Sequence, residues 1–237
     1  MLFRSPHHVS KFLWCEDSKS GYQFWSALFR KLYPDVTVET KGSNTGLRKA
    51  ASKIAADGNV YYIVMDTAVD NPDVLRETRR LKAVIDGKDN VHVFKVHSFE
   101  FALLSFELLE QWVFSEEDEL KEKRQSLLQA RAAFLQQNAS GADAAGLQAF
   151  KAAFEGYESK NSEQIAAKLL YEITRNTGFE TDKSQVGDCF INTCCEWAER
   201  QRNDMCGLDS QRISAGEKAK LLADRSALKA AFEGVGL

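Results

Sequence analysis

The fold of this chain is set by two short stretches, FLWCE at residues 12–16 and VYYIVMD at residues 60–66. Each is a run of apolar residues that ends in a carboxylate, Glu16 in the first and Asp66 in the second. Continuous apolar runs of this length are typical of strands that are buried on both faces of a parallel sheet. In open sheets of that kind, ligands bind outside the carboxyl ends of the strands, where two acids can converge on one divalent ion. The two stretches therefore predict a magnesium site.

Strand-like and helical patterns alternate through the first half of the chain. The apolar spacing predicts four strands and three intervening helices, and this order predicts a mostly parallel sheet with helices on both faces. The strands are expected at residues 12–15, 36–40, 60–65 and 91–96, and the helices at residues 22–32, 45–56 and 72–84.

From residue 98 onward the spacing of the apolar residues is helical. We therefore predict an α/β domain over residues 1–115 and an all-helical domain over residues 116–237. The helices are expected at residues 99–114, 116–137, 142–154, 162–174, 185–202 and 215–232.

Composition indicates an ordinary globular protein. Of 237 residues, 44% are hydrophobic and 27% charged, and the net charge of −3 gives no global sign of a nucleic-acid binder. We expect a cytoplasmic protein, because no signal peptide or apolar stretch long enough to span a membrane is present. The five cysteines are expected to be reduced thiols, since the late cluster of Cys189, Cys194, Cys195 and Cys206 lacks the spacing of a zinc site.

The placement of the acids resembles a Toprim domain over about residues 10–114. The resemblance is carried by LWCED at 13–17, VETKGS at 38–43 and IVMD at 63–66, each following or forming a predicted strand. Toprim domains place a glutamate after the first strand and an Asp-x-Asp pair after the third. The fold is shared by topoisomerases, bacterial primases, ribosomal-RNA maturation nucleases and nucleases of the overcoming-lysogenisation-defect type.

This resemblance implies a nuclease that hydrolyses phosphodiester bonds in DNA or RNA, transfer RNA included, with magnesium or manganese. It also implies a phage-defence effector that works with an ATPase partner, which would have to act in trans because the chain has no Walker motif. A charged run at residues 116–124 offers a surface for a homodimer or for solvent. The alternative is a catalytically degenerate Toprim-like module that serves as a binding partner or adaptor.

One position departs from the Toprim pattern. Ala68 stands where the second aspartate of the pair is expected. Two acids are candidates to replace it: Asp70, four residues after Asp66, and Glu100, just after the fourth predicted strand. Some Toprim nucleases of phage-defence systems carry an acid after a corresponding strand, which favours Glu100.

Two overlapping sets of acids follow from these alternatives. Carboxylates suit magnesium, which prefers hard oxygen ligands and lowers the pKa of a bound water. We expect Glu16, Asp66 and Glu100 to be catalytic, and Glu16, Asp66 and Asp70 to be metal ligands. Each of these acids has a structural alternative as a helix-capping or solvent-facing side chain.

A group of basic side chains follows the second predicted strand. These residues are predicted to contact a nucleic-acid backbone, with a solvated helix face as the ordinary alternative. They are Lys41, Arg48, Lys49 and Lys53.

Overall fold

One parallel sheet organises the first half of the chain. The computed structural model describes residues 9–115, 119–138, 144–182, 185–192, 207–208 and 213–237. The strands lie in the order β2-β1-β3-β4, all parallel, which confirms the predicted α/β class with a parallel sheet. They are β1 (Lys11–Cys15), β2 (Val36–Thr40), β3 (Val60–Val64) and β4 (Val91–Phe94).

Three helices connect the strands and cover both faces of the sheet. They are α1 (Ser20–Leu32), α2 (Asn44–Ser52) and α3 (Pro72–Ile85). Successive strand side chains point to opposite faces, so Leu13 packs in the cluster that includes α1, whereas Trp14 packs with α2 and α3. Both faces are therefore buried, which explains why the strands are continuously apolar.

The second half is helical in the described residues, as predicted. Its core is continuous with the α1 side of the sheet, because one buried cluster includes Phe94 of β4 together with Phe134, Leu169 and Phe232. The predicted boundary between residues 115 and 116 stays a prediction. The helices are α4 (Phe99–Leu104), α5 (Leu109–Val113), α6 (Glu119–Lys123), α7 (Gln125–Asn138), α8 (Ala144–Ala153), α9 (Ser162–Thr174), α10 (Asp188–Ile191), α11 (Ala215–Asp224) and α12 (Leu228–Glu233).

The single helix predicted over residues 99–114 is wrong, because α4 ends at Leu104 and α5 begins at Leu109. The buried guanidinium of Arg131 donates hydrogen bonds to the carbonyl oxygens of Leu104 and Phe106, each at 2.7 Å. The first bond satisfies the carbonyl at the carboxyl end of α4, and the second adds to the bond that the Phe106 carbonyl accepts from the backbone N–H of Leu109. A contact from a distant helix thus ends a helix that its own sequence would continue.

Three other predicted helices differ from the structure. The helix expected over 116–137 is divided at Arg124, and the one expected over 215–232 is divided between Asp224 and Leu228. Of the helix expected over 185–202, the described part is helical only at Asp188–Ile191, and residues 193–206 lie outside the described residues.

Of the five cysteines expected to be reduced thiols, Cys15 agrees with the expectation. Cys15 is a buried free thiol, and Cys189 is also buried, whereas Cys194, Cys195 and Cys206 lie outside the described residues. Among the helices that the structure describes, none has the length and apolar character needed to cross a membrane.

Candidate functional site

The strand order creates a crevice at one edge of the sheet. In the order β2-β1-β3-β4 the chain leaves β1 toward one side and β3 toward the other, so the carboxyl ends of these two neighbours flank a topological switch point. Glu16 directly follows β1, and Asp66 comes two residues after the end of β3. The topology therefore brings the two acids predicted from the sequence to the position where such sheets bind ligands.

The crevice is a cavity of about 270 Å³ that we call the acidic cavity. It is lined by five carboxylic acids, Glu16, Asp17, Asp66, Glu100 and Glu163, together with residues of β1, α1, β3 and α4. Four of these acids lie in segments that follow strands of the sheet, and the fifth comes from α9 in the helical half. The site is thus built by both halves of the chain.

Glu100 reaches the cavity from the first turn of α4. The hydroxyl of Ser98 caps this helix by accepting a hydrogen bond from the backbone N–H of Phe101 at 3.1 Å. The Glu100 carboxyl is bonded by its own backbone N–H and by the side chain of Ser98. From the sequence, a position at the start of a helix and a position in the site are alternatives for Glu100. In the structure, Glu100 has both.

Glu163 was missed by the sequence analysis. It lies in the first turn of α9, where Asn161 and Gln164 form a capping box. An acid in the first turn of a helix is common, because it favours the helix dipole, so nothing local marks Glu163 as a site residue. Its carboxyl forms hydrogen bonds with the side chains of Asn71 and Asp66. Only the packing of α9 against α4, next to the carboxyl ends of the strands, reveals this acid.

Burial and mutual repulsion raise the pKa values of four acids of the cavity: Glu16, Asp66, Glu100 and Glu163. Burial, followed by the charge of Glu163, raises the pKa of Glu16 to about 7. Burial likewise raises the pKa of Glu100 to about 7 and is the main cause of the raised pKa of Glu163. The pKa of Asp66 is raised well above its usual value by burial and then by the charges of Glu16 and Glu163. The cavity therefore opposes full ionisation of its own side chains.

The acids of the cavity lack compensating positive charge. No lysine or arginine among the described residues lines it, and the Oε2 atom of Glu16 is buried without a hydrogen-bond partner in that part of the chain. The neighbouring Asp17, in contrast, accepts hydrogen bonds from the backbone N–H groups of Lys19 at 2.8 Å and Gly21 at 2.6 Å. An unpaired, buried carboxylate oxygen is costly, and a bound cation would satisfy it.

The donor set fits a hard divalent cation such as magnesium or manganese. The five acids offer oxygen ligands, and Oε2 of Glu16 has no hydrogen-bond partner among the described residues. Within the described residues, no three side chains of His, Cys, Asp or Glu form a group that could hold a metal ion. Magnesium is usually held by one or two carboxylates with water and substrate phosphate rather than by a closed protein cage. Glu16 and Asp66 are the two acids best placed for that role.

Asp70 occupies a different environment, next to the cavity. Its Oδ2 atom accepts a hydrogen bond from the backbone N–H of Ser162 at 2.7 Å, and its Oδ1 atom accepts one from the Ser162 hydroxyl. The Ser162 hydroxyl oxygen also lies 2.8 Å from Nε2 of His97. Asp70 does not line the acidic cavity. We call this group of Asp70, Ser162 and His97 the clamp, because it fastens the start of α9 to the sheet.

Position 68 does not line the acidic cavity either. The Ala68 side chain is fully buried, so the position at which the Toprim pattern expects a second aspartate belongs to the protein interior. Of the two acids considered as its replacement, the structure brings Glu100 into the cavity and leaves Asp70 in the clamp.

The predicted nucleic-acid-binding residues do not form one cluster. Lys41 bonds to Glu39 at 2.6 Å and lies over the Trp14 ring, and Arg48 contacts Glu77 at 3.4 Å. A helix that follows a parallel strand runs back along the sheet, so the distal end of α2 is far from the acidic edge. The two exposed lysines of the set, Lys49 and Lys53, lie toward that end. Their role in binding stays a prediction.

Comparison with known proteins gave no match to a family model, to a curated protein or to a solved structure. The resemblance to Toprim domains therefore depends on the order of the acids and the strands. Any statement about function has to be argued from the acidic cavity itself.

Proposed function

We propose that this protein is a nuclease that hydrolyses phosphodiester bonds in DNA or RNA with magnesium or manganese. The observation that carries the proposal is the convergence of five carboxylic acids at the switch point of the sheet, one of which has a buried oxygen with no hydrogen-bond partner among the described residues. Such a set attracts a divalent cation, and the cation in turn attracts the phosphate of a substrate.

A divalent ion, when bound, supplies positive charge to the phosphate and lowers the pKa of a water molecule. The side chains of the cavity would hold the ion and orient the groups around it. Glu16 and Asp66 would hold the ion at the ends of β1 and β3. Glu100, with its pKa raised to about 7, is placed to exchange a proton near neutral pH, where a general acid or base works best. Glu163 fixes the Asp66 carboxyl by a hydrogen bond.

The proposal extends to a biological role through the resemblance to Toprim nucleases of phage defence. In that role the protein would act in the cytoplasm as an effector, with an ATPase partner supplied in trans. The order of the acids supports this extension, since Glu16 follows the first strand and Asp66 the third. The burial of Ala68 marks the departure from that family's pattern, and Glu100 offers the replacement acid.

Cleavage assays with a single conservative substitution test the proposal. The purified protein is incubated with supercoiled plasmid or transfer RNA in the presence of Mn²⁺, and product is followed on gels. We expect Glu16→Gln to abolish cleavage, because it removes a carboxylate predicted to hold the ion without changing the size of the side chain. Glu155→Gln serves as the matched control, since Glu155 is an exposed glutamate outside the cavity.

Two outcomes would contradict the proposal. Cleavage that persists in Glu16→Gln would show that the acidic cavity is not the site of hydrolysis. Calorimetric titration with Mn²⁺ that gives no heat, together with retained nucleic-acid binding and no cleavage, would favour a degenerate binding module instead.

A further inference from the structure

A second cavity adjoins the acidic cavity and shares two of its lining residues, Ser20 and Glu100. This side groove has a volume of about 460 Å³, which lies within the range of ~300–1,000 Å³ typical of small-molecule sites. It extends from Glu100 along α9 and ends at the segment that contains Asp182. A ligand bound at the acidic cavity would therefore have room to continue into the side groove.

The shape of the side groove comes from the residues that line α1 and α9. The side chains of Ser20 and Ala167 are small, which makes the groove deep at these positions. Tyr171 lies one helical turn after Ala167. Tyr171 is 45% exposed, which is unusual for a large aromatic side chain beside a cavity. An exposed ring next to a groove is the arrangement on which nucleobases stack.

The far wall of the side groove is anchored to the rest of the protein. Thr181 pairs with Val186 in an antiparallel bridge, and the backbone N–H of Val186 donates to the Gln23 side chain at 2.7 Å. Gln23 belongs to α1, so the wall is fixed to the same helix that supplies Ser20. The groove is thus framed by packed elements, and the exposed Asp182 carboxylate lies at its end.

The charges of the side groove select the kind of group that it can bind. Its carboxylic acids are Glu100 and Asp182, and no lysine or arginine among the described residues lines it. Carboxylates repel phosphate and accept hydrogen bonds when ionised. The groove therefore suits the uncharged, N–H-bearing part of a nucleotide, while the phosphate belongs at the acidic cavity.

We propose that the side groove binds one unpaired nucleobase of the substrate, and that guanine is preferred. The inference rests on the proposed nuclease function, which it extends to a substrate that is single-stranded next to the cleaved bond. A paired base cannot enter, because its edge and both faces are occupied in a duplex. Guanine offers two adjacent N–H donors to the Asp182 carboxylate, whereas uracil offers one donor between two acceptors.

Binding of nucleoside monophosphates to the full chain tests this assignment. GMP and UMP are titrated calorimetrically in the presence of Mg²⁺, and we expect GMP to bind at least about fivefold more tightly. Tyr171→Ala is expected to weaken GMP binding by about 5- to 150-fold, the equivalent of the ~1–3 kcal/mol measured for stacking of a base on an aromatic ring. Tyr171→Phe keeps the ring and serves as the matched control, with affinity within about twofold of the unaltered protein.

A second variant tests the hydrogen bond at the end of the side groove. Asp182→Asn replaces one acceptor oxygen by a donor, so the preference for GMP over UMP should shrink or disappear. Equal binding of GMP and UMP to the unaltered protein, or unchanged GMP binding in Tyr171→Ala, would overturn the inference.

Binding of Mn²⁺ distinguishes failure of the nucleobase site from failure of the nuclease proposal. Binding of Mn²⁺ alone is measured in Tyr171→Ala, and we expect it to be unchanged because Tyr171 does not line the acidic cavity. Equal binding of GMP and UMP by the unaltered protein, or unchanged GMP binding in Tyr171→Ala, would reject the nucleobase site only, provided that Mn²⁺ binding is intact. Absence of Mn²⁺ binding in the unaltered protein would reject the nuclease proposal.

Discussion

The acidic cavity and the clamp lie side by side where α9 meets the sheet, yet they use carboxylates in opposite ways. In the clamp, both oxygens of Asp70 accept hydrogen bonds from Ser162. In the cavity, an oxygen of Glu16 has no partner in the described residues, and Asp66 and Glu163 share a hydrogen bond although both are acids. The difference teaches that the state of its hydrogen bonds, and not its residue type, decides whether an acid supports the fold or is available to a ligand.

The largest expected effect separates the two acids that the sequence left as alternatives. Glu100→Gln is expected to lower the rate of Mn²⁺-dependent cleavage by about 100-fold or more, because it removes a carboxyl that lines the acidic cavity. Asp70→Asn should lower the rate by less than about tenfold, since Asp70 is bonded within the clamp. Initial rates measured at equal concentrations of folded protein compare the two variants. The reverse ranking would make Asp70 the third acid of the site.

The acidic cavity and the clamp are also expected to change the stability of the fold with pH in opposite directions. In the folded protein, Glu16 and Glu100 hold their protons up to about pH 7, whereas their ordinary pKa is 4.5. The folded state therefore binds more protons than the unfolded chain within this window, and the free energy of unfolding falls as pH rises from about 4.5 to 7. Relative to the unaltered protein, the double variant Glu16→Gln with Glu100→Gln should lose less stability over that range.

His97 in the clamp acts in the other direction. Burial lowers the pKa of His97 from 6.5 to about 4. Between these pH values the histidine is protonated in the unfolded chain but neutral in the folded protein. The free energy of unfolding should therefore fall as pH decreases from about 6.5 to 4, by about 3 kcal/mol in the limit. His97→Gln should remove this loss while keeping a side chain that can bond to Ser162. Urea unfolding at several pH values, without divalent metal, checks both signs, and parallel curves for all three proteins would refute them.

The smallest expected effect concerns two neighbouring residues at the start of α9. Ser162→Ala removes the hydroxyl that Asp70 and His97 share, and we expect it to lower the free energy of unfolding by about 1–3 kcal/mol. Glu163→Gln, one residue later, should leave stability unchanged or raise it, because it removes a like charge from the cavity. Denaturant unfolding at pH 7.5 compares the pair. Equal destabilisation by both would show that cavity and clamp are one structural unit.

Local patterns predicted most of the sheet. The apolar runs at residues 12–15 and 60–65 match β1 and β3 to within one residue, because a strand buried on both faces has to be apolar throughout. The positions of Glu16 and Asp66 at one edge also follow from the sequence, since parallel strands send all their carboxyl ends to the same side. Helix ends in the second half were predicted less well, because contacts such as those of Arg131 end helices that their own residues would continue.

The sequence by itself determined that two acids lie at the switch point of a parallel sheet, because strand periodicity and the residue that follows each strand are local properties. The tertiary structure alone decided which other acids join them. Glu163 enters the cavity only because α9 packs against α4, and Asp70 is held away from it by Ser162, 92 residues along the chain. Contacts over such separations depend on how helices pack on a shared core, and no spacing between neighbouring residues records them.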